Sequence, residues 1–229
     1  METAKAISER KSTRAFLTNR EVPKETVQEL LNLAKQAPSW VNSQPEHVYA
    51  VSGKKLAELR KAYKAASQAG KKGAPDIPVK SRAEWAEQGR SNMKEWNDNL
   101  PKVLGENWSE IMGEHSDALY NVPNLLILTL PKGYSDWSLY DLGAFGQNFI
   151  TAATDKGLAT MTAYQFIKYP KILRKVLNIP DDEVVIIGIG LGYADQNDQM
   201  NKITSTRMPL EEFVTFENWW HPGWQNHEK

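Results

Sequence analysis

The sequence predicts one compact domain that contains both α-helices and β-strands. The chain has 229 residues, of which 41% are apolar, so it is long enough for one sizeable core and short for two. Apolar residues recur at helical spacing from Val27 to Ala37 and again across Ser138–Lys156. The β-branched run Val184–Gly192 is typical of a strand that is buried on both faces. We therefore expect a single domain over residues 1–229.

The first part of the chain predicts three helices and one strand. Glu2–Arg10 is expected to form a short helix because its apolar residues fall near one side. Pro23 suits the first position of a second helix. That helix stops at Ala37-Pro38, because a proline disfavours the helical conformation of the residue before it. A strand at His47–Val51 and a helix at Lys54–Ala66 follow.

Residues 67–117 lose this regularity. They are polar and carry scattered glycines and prolines, and a later helical stretch contains Trp85, Trp96 and Trp108. We interpret this region as a helical excursion within the domain. Its indole rings offer flat apolar surface, which suits either the wall of a binding cleft or packing in a core or a dimer.

The second part of the chain predicts the centre of the fold. Val122–Leu130 is a short apolar strand, and Ser138–Lys156 is a long helix whose wide apolar face and small residues suit a central position. Gly157 ends that helix at the position after its C-cap. Lys171–Leu177 is a further helix, and the buried strand named above follows it. From Met200 onward the chain shows no clear period.

Charge and composition exclude several classes of protein. Lys+Arg and Asp+Glu number 28 each, so no net charge draws the chain to nucleic acid or to anionic membranes, and we expect neither partner. The longest apolar runs, Leu125–Leu130 and Val184–Leu191, fall short of the roughly 20 residues that cross a bilayer. No basic and apolar leader opens the chain, which indicates a cytoplasmic protein. The chain has no cysteine and four scattered histidines, so no disulfide scaffold, thiol nucleophile or metal site is expected.

A glycine-rich run at Gly188–Gly192 invites comparison with a dinucleotide-binding loop. That fingerprint requires a third glycine where Tyr193 stands and a helix directly afterwards. Instead a polar stretch rich in Asp and Asn follows. The run therefore does not predict a Rossmann fold.

Arg10, Ser12 and Arg14 alternate along a short basic segment. Alternate residues of an extended chain point to one side, so all three could face one ligand. Two guanidinium groups and a hydroxyl would suit a phosphate and a second electron-rich edge. Spacing alone leaves open the commoner alternative, a solvated basic turn.

Six short sequence segments, taken together in their order and spacing, indicate a family more strongly than any one of them alone. They are Arg10–Phe16, Ala37–Pro45, Asp141-Leu142-Gly143 with Gln147-Asn148, Ala153–Leu158, Gly190–Tyr193 and Arg207–Glu212. In order and spacing they resemble the FMN-dependent nitroreductase family across nearly the whole chain. The resemblance implies an α+β, three-layer fold with a central mixed, mainly antiparallel sheet flanked by helices, in an interlocked homodimer that holds FMN at the subunit interface.

The resemblance also assigns expected roles to individual residues. Arg10, Ser12 and Arg207 would grip the FMN phosphate, Arg14 would lie beside the pyrimidine edge of the flavin and tune it, and the backbone of Tyr164 or Gln165 would approach the flavin N5 atom. The partner subunit would supply a ring and ribityl contact from Pro38, Ser39, Trp40 and Asn42. Three further residues complete the expected set: Lys11, Gln44 and Ser205, where some members of the family carry a second basic residue. An ordinary loop between helices is the alternative for Thr162–Gln165.

The activity implied by the resemblance is flavin chemistry. FMN would carry the hydride and electron steps, NAD(P)H would be the reductant, and a nitroaromatic or quinone-like acceptor would follow it into the same cleft in ping-pong order. No catalytic side chain is then expected beyond those that hold and tune the flavin. The alternatives are a flavin enzyme of the same fold that dehalogenates or oxidises a metabolite, a non-catalytic FMN-binding or sensing dimer, and a dimeric interaction protein without flavin.

Overall fold

A four-stranded antiparallel sheet forms the centre of the computed structural model, which describes residues 2–217. The strands are β1 (His47–Ser52), β2 (Asn124–Pro131), β3 (Ala159–Thr162) and β4 (Glu183–Gly192), in the order β1-β2-β4-β3. Every pairing within the sheet is antiparallel. The parallel component described for residues 2–217 is an isolated bridge from Ser12 to Thr160. The tryptophans of the C-terminal segment, Trp219, Trp220 and Trp224, lie outside the described residues.

Seven α-helices surround the sheet within the described residues. They are α1 (Thr3–Glu9), α2 (Lys24–Ala34), α3 (Gly53–Gln68), α4 (Glu87–Leu104), α5 (Trp108–Asp117), α6 (Asp136–Asp155) and α7 (Pro170–Leu177). The predicted helices and the three predicted strands are confirmed, with ends that move by a few residues. Pro23 is the N-cap of α2 and not its first residue. No helix within 2–217 is both long and apolar enough to cross a membrane.

The sequence analysis missed β3. This strand has only four residues and begins two residues after Gly157, whose φ of 73° ends α6. Four residues are too few to show an alternating pattern, so the sequence predicts no strand at this position. The pairing of Thr160 with Leu191 and of Met161 with Gly190 identifies it as the edge strand next to β4.

The sheet separates two apolar layers, which confirms the expected three-layer arrangement. Alternate residues of β2 pack into opposite layers, because successive side chains of a strand point to opposite faces of the sheet. Leu125 and Ile127 join the layer of α3 and α7, while Leu126 and Leu128 join the layer of α2 and α6. The long helix α6 is central as predicted, with Phe149 fully buried.

A third, smaller apolar cluster attaches the helical excursion to the rest of the chain. Leu100 and Leu104 of α4 pack there with Ala15, Met200 and Ile203. The excursion therefore lies against the same segment that carries Arg14.

The glycines of β4 allow the side chain of Phe166 to pack directly against the sheet. A Cβ atom on Gly188 would lie 2.4 Å from Phe166 Cβ, and a Cβ on Gly190 would lie 2.5 Å from Val122 Cγ1. Real side chains do not approach this closely, so glycine is required by packing. The glycine-rich run is thus the interior of a strand, in agreement with the rejection of a dinucleotide-binding loop.

We predict that Gly190→Ala lowers the free energy of unfolding by about 1–3 kcal/mol, the usual cost of forcing atoms into a packed core. Urea unfolding of both proteins measures the difference. Gly113→Ala is the matched control, because Gly113 is in α5 with no atom within 4 Å of a built Cβ. That variant should match or exceed the wild type, since alanine favours a helix. An unchanged stability of Gly190→Ala would contradict the packing argument.

Candidate active site

Arg14 is a buried cation in the extended segment that follows α1. Its side chain is 8% exposed, Nη1 donates to the Ser12 carbonyl at 3.3 Å, and Cζ lies 5.6 Å from the ring centroid of Trp96 in α4. Within residues 2–217 no carboxylate forms an ion pair with it. Burial lowers the pKa of Arg14, and Tyr120 raises it in part. A buried charge without a counter-charge is costly, so this site favours an electron-rich ligand.

Asn201 fixes the backbone on which Arg14 lies. Its Oδ1 accepts the N–H groups of Arg14 at 2.7 Å and Ala15 at 3.2 Å. Its Nδ2 donates to the carbonyls of Ala15 at 2.7 Å and Asp195 at 2.8 Å. Sequence reasoning missed Asn201, because a lone Asn in a segment without period gives no signal of a partner almost two hundred residues away.

Gln165 has a buried side-chain nitrogen with no hydrogen-bond partner in the described chain. It lies in a 3₁₀ turn, Tyr164–Ile167, directly after β3, so Thr162–Gln165 is the end of a strand and the start of this turn. The backbone N–H groups of Tyr164 and Gln165 also donate to no carbonyl in residues 2–217. Gln165 is buried, and buried donors normally have partners, so its side chain presents unused hydrogen-bonding capacity.

A left-handed turn at Leu119–Asn121 links the surroundings of Arg14 and Gln165. Its three residues have φ between 50° and 56°, a conformation that non-glycine residues seldom adopt. Arg60 brackets the turn by donating to the carbonyls of Ala118 at 2.9 Å and Val122 at 2.8 Å. Tyr120, in the turn, interacts electrostatically with Arg14 and makes an edge contact with Phe166 at 5.8 Å. No local pattern predicts this turn, since Leu119 and Tyr120 do not favour positive φ.

The loop Pro38–Gln44 projects from the chain and contacts α6. Trp40 donates its backbone N–H to Asp141 Oδ2 at 2.9 Å and stacks on Trp137 at 5.1 Å. Ser39 Oγ accepts the N–H of Gln44 at 3.0 Å. Val41, Asn42 and Gln44 have positive φ. The predicted flavin-contact loop therefore has a defined shape, held by its own chain.

Arg10 and Lys11 line a cleft of about 370 Å³. Lys11 Nζ also lies 3.4 Å from the carbonyl of Asn201. Ser205 and Arg207 line a different cleft of about 960 Å³ against α4. Arg207 Nη1 donates to the carbonyls of Ser205 at 3.2 Å and Thr206 at 2.8 Å. The described clefts thus separate Arg10 from Arg207, and a phosphate shared by the two residues stays a prediction.

The three tryptophans of the excursion have different surroundings. Trp96 lines the larger cleft and also lies beside Arg14, so it connects the buried cation to that cleft. Trp108 packs against the third apolar cluster, as Trp96 also does, and this is the packing alternative. Trp85 is exposed.

Within residues 2–217, Arg14 has no acid paired with it and the side-chain nitrogen of Gln165 has no acceptor, so both are available to an electron-rich ligand. The sequence profile described as the nitroreductase family matches residues 7–193. The chain belongs to the nitroreductase family, and the resemblance expected from the sequence is confirmed.

Characterised relatives match almost the full length of the chain. The nitrobenzene nitroreductase of Ectopseudomonas oleovorans is 31% identical over 219 residues, which cover 92% of this chain and 94% of the relative. The chloronitrobenzene nitroreductase of Comamonas testosteroni is 31% identical over 223 residues, with the same coverage of 92% and 94%. The crystal structure of the FMN-dependent nitroreductase NfnB from Mycobacterium smegmatis in complex with NADPH superposes with a TM-score of 0.87 at 26% identity, covering 94% of this chain and 98% of that one. The α+β fold is therefore shared with these proteins.

Proposed function

We propose that the chain is an FMN-dependent oxidoreductase that uses NAD(P)H to reduce nitroaromatic acceptors. The observation that carries the proposal is Arg14, a buried cation with no acid beside it within residues 2–217. The family resemblance assigns Arg14 to the pyrimidine edge of the flavin, which becomes electron-rich on reduction. The relatives named above act on nitrobenzene and chloronitrobenzene, which supports a nitroaromatic acceptor here.

The residues present fit FMN at the level of hydrogen-bond chemistry. Arg14, the side-chain nitrogen of Gln165 and the free N–H groups of Tyr164 and Gln165 are all donors, and a flavin ring offers acceptors along its edge. Arg10, Lys11, Ser12 and Arg207, with Ser205, are proposed to hold the phosphate. Pro38, Ser39, Trp40, Asn42 and Gln44 are proposed to contact the ring and ribityl chain of the FMN held by the partner subunit.

The bound cofactor supplies hydride and electron transfer from NAD(P)H to the acceptor, which we propose to run in ping-pong order through one cleft. Overall, one hydride from the nicotinamide and one proton from solvent convert a nitro group into a nitroso group and water. The protein supplies position, charge and the exclusion of water. Trp96 is suited to the cleft wall, where its ring would pack on an aromatic or quinone-like acceptor.

A homodimer is part of the proposal. Trp40, Val41, Trp137 and Tyr140 are large apolar residues that are all more than half exposed, and they lie on the loop Pro38–Gln44 and on the first turns of α6. An exposed apolar patch of this kind marks an interaction surface. We also propose that residues 1–229 form one domain, with 67–117 as an excursion, in a cytoplasmic protein.

An anaerobic titration tests the function directly. We expect the protein mixed with FMN to be yellow, to lose its blue absorbance when NADPH or NADH is added under nitrogen, and to regain it when nitrobenzene follows. FMN without the protein is the control for uncatalysed reduction.

Each other outcome supports a different alternative. A yellow protein that neither nicotinamide bleaches would be a passive FMN binder. A protein that binds no FMN would be an interaction protein. Bleached protein that only a halogenated or other metabolite reoxidises would point to dehalogenation or metabolite oxidation.

We predict that Arg14→Gln lowers the two-electron midpoint potential of bound FMN by about 30–80 mV. Charges about 4 Å apart interact by roughly 4 kcal/mol at an effective dielectric near 20, and about 30 mV corresponds to 1.4 kcal/mol for a two-electron couple. Spectroelectrochemical titration of FMN-saturated proteins measures the shift. Arg90→Gln, which changes an exposed arginine of α4, should leave the potential unchanged. An unchanged or higher potential in Arg14→Gln would remove Arg14 from this role.

A further inference from the structure

Asp141 is a buried acid in the middle of α6. It is 6% exposed, between buried neighbours such as Leu142 and Phe145 on the same helix. Its hydrogen bond within the described chain is the one that Oδ2 accepts from the backbone N–H of Trp40 at 2.9 Å. A carboxylate in such surroundings is costly unless it is hydrogen-bonded. The bond to the loop therefore accounts for an acid at this position.

The loop on the other side of this bond has an unfavourable backbone. Val41 has φ 48°, Asn42 has φ 59° and Gln44 has φ 44°, and the left-handed region is especially poor for a β-branched residue such as Val41. Such conformations persist only where the surroundings hold them. Two contacts from one side of α6 do so here: the carboxylate of Asp141 and, one turn earlier, the indole of Trp137 that stacks on Trp40.

The held loop points away from its own core. Val41 is 85% exposed and Trp40 is 57% exposed, so the loop conformation buries neither large apolar side chain within the chain. The loop thus keeps an unfavourable backbone conformation and exposes its apolar side chains to the outside. Such a loop suits a contact with a second chain.

We infer that Asp141 is a positioning residue, which acts in trans by fixing the loop Pro38–Gln44 in the shape that completes the FMN site of the partner subunit. The inference rests on the proposed homodimer and FMN site. Its consequence is specific: a change at Asp141 of one subunit weakens the site whose Arg10 and Arg14 belong to the other subunit.

The first measurement is FMN affinity. Asp141→Leu removes the acceptor and is expected to weaken FMN binding by about tenfold or more, while Asp141→Asn keeps a neutral acceptor and is expected to lose less, about threefold. Glu58→Gln is the control, because Glu58 is an exposed acid of α3, outside the loop and outside the exposed apolar patch on the first turns of α6. Fluorescence titration at equal dimer content measures all four proteins, and Glu58→Gln should bind like the wild type.

Mixed dimers then test the action in trans. One subunit carries Asp141→Leu and the other carries Arg10→Ala with Arg207→Ala, and two affinity tags isolate the heterodimer. If Asp141 acts on the partner's site, the altered loop and the missing arginines belong to the same FMN site. The other FMN site then consists of wild-type residues only. We expect each parent homodimer to bind FMN weakly and the heterodimer to bind one FMN per dimer with wild-type affinity.

The failures of the two proposals are distinguishable. Wild-type protein that binds no FMN, or that is a monomer with FMN bound, overturns the proposed shared site and the inference with it. A wild-type FMN dimer with Asp141→Leu binding equally well overturns the inference alone, as does a heterodimer that binds no better than its parents. If Asp141→Leu does not fold, as judged by circular dichroism, the same cycle is run with Asp141→Asn, whose expected recovery is the corresponding threefold.

Discussion

The burial of Arg14, which has no acidic partner in the described part of the chain, is the constraint on which the surroundings of the candidate site depend. A charged guanidinium leaves water at a high cost, so the chain must hold its backbone firmly. Asn201 does this from the C-terminal side with hydrogen bonds to the Arg14 and Ala15 backbone. The cluster of Leu100, Leu104 and Met200 brings α4 and its Trp96 ring against the same segment. The polar excursion is thus part of the site's construction.

The part of the candidate site around Gln165 depends on the glycines of β4. Because Gly188 and Gly190 carry no side chain, Phe166 packs closely against the strand. The turn that contains Phe166 leaves the Gln165 side-chain nitrogen without a hydrogen-bond partner within residues 2–217. Tyr120 contacts Phe166 and interacts with Arg14, so the two parts of the site meet through one residue in a turn that Arg60 holds. The glycines of β4 and Arg60 of α3 therefore together position Phe166 and Tyr120, the residues that link Gln165 to Arg14.

Local signals in the sequence predicted the helices and the longer strands, because periodicity, Pro23, Pro38 and Gly157 act within a few residues of their position. They could not predict β3, which is too short to show a period, or the turn at Leu119–Asn121, because Leu119 and Tyr120 do not favour positive φ. Tertiary packing determines two further contacts, Asn201 with Arg14 and Asp141 with Trp40. The partners in each contact are more than a hundred residues apart in sequence. The family resemblance located the candidate residues, but it did not identify what holds them in place.

The stability of the flavin-free protein tests most directly whether a ligand balances Arg14. Thermal unfolding would be compared for wild type and Arg14→Met, each without and with saturating FMN. We expect Arg14→Met to be at least as stable as wild type without FMN, because the uncompensated charge is gone. We expect FMN to raise the melting temperature of wild type more than that of Arg14→Met, by about 2–4 °C for each kcal/mol of interaction that the variant loses. An Arg14→Met protein that is destabilised equally with and without FMN would contradict this expectation.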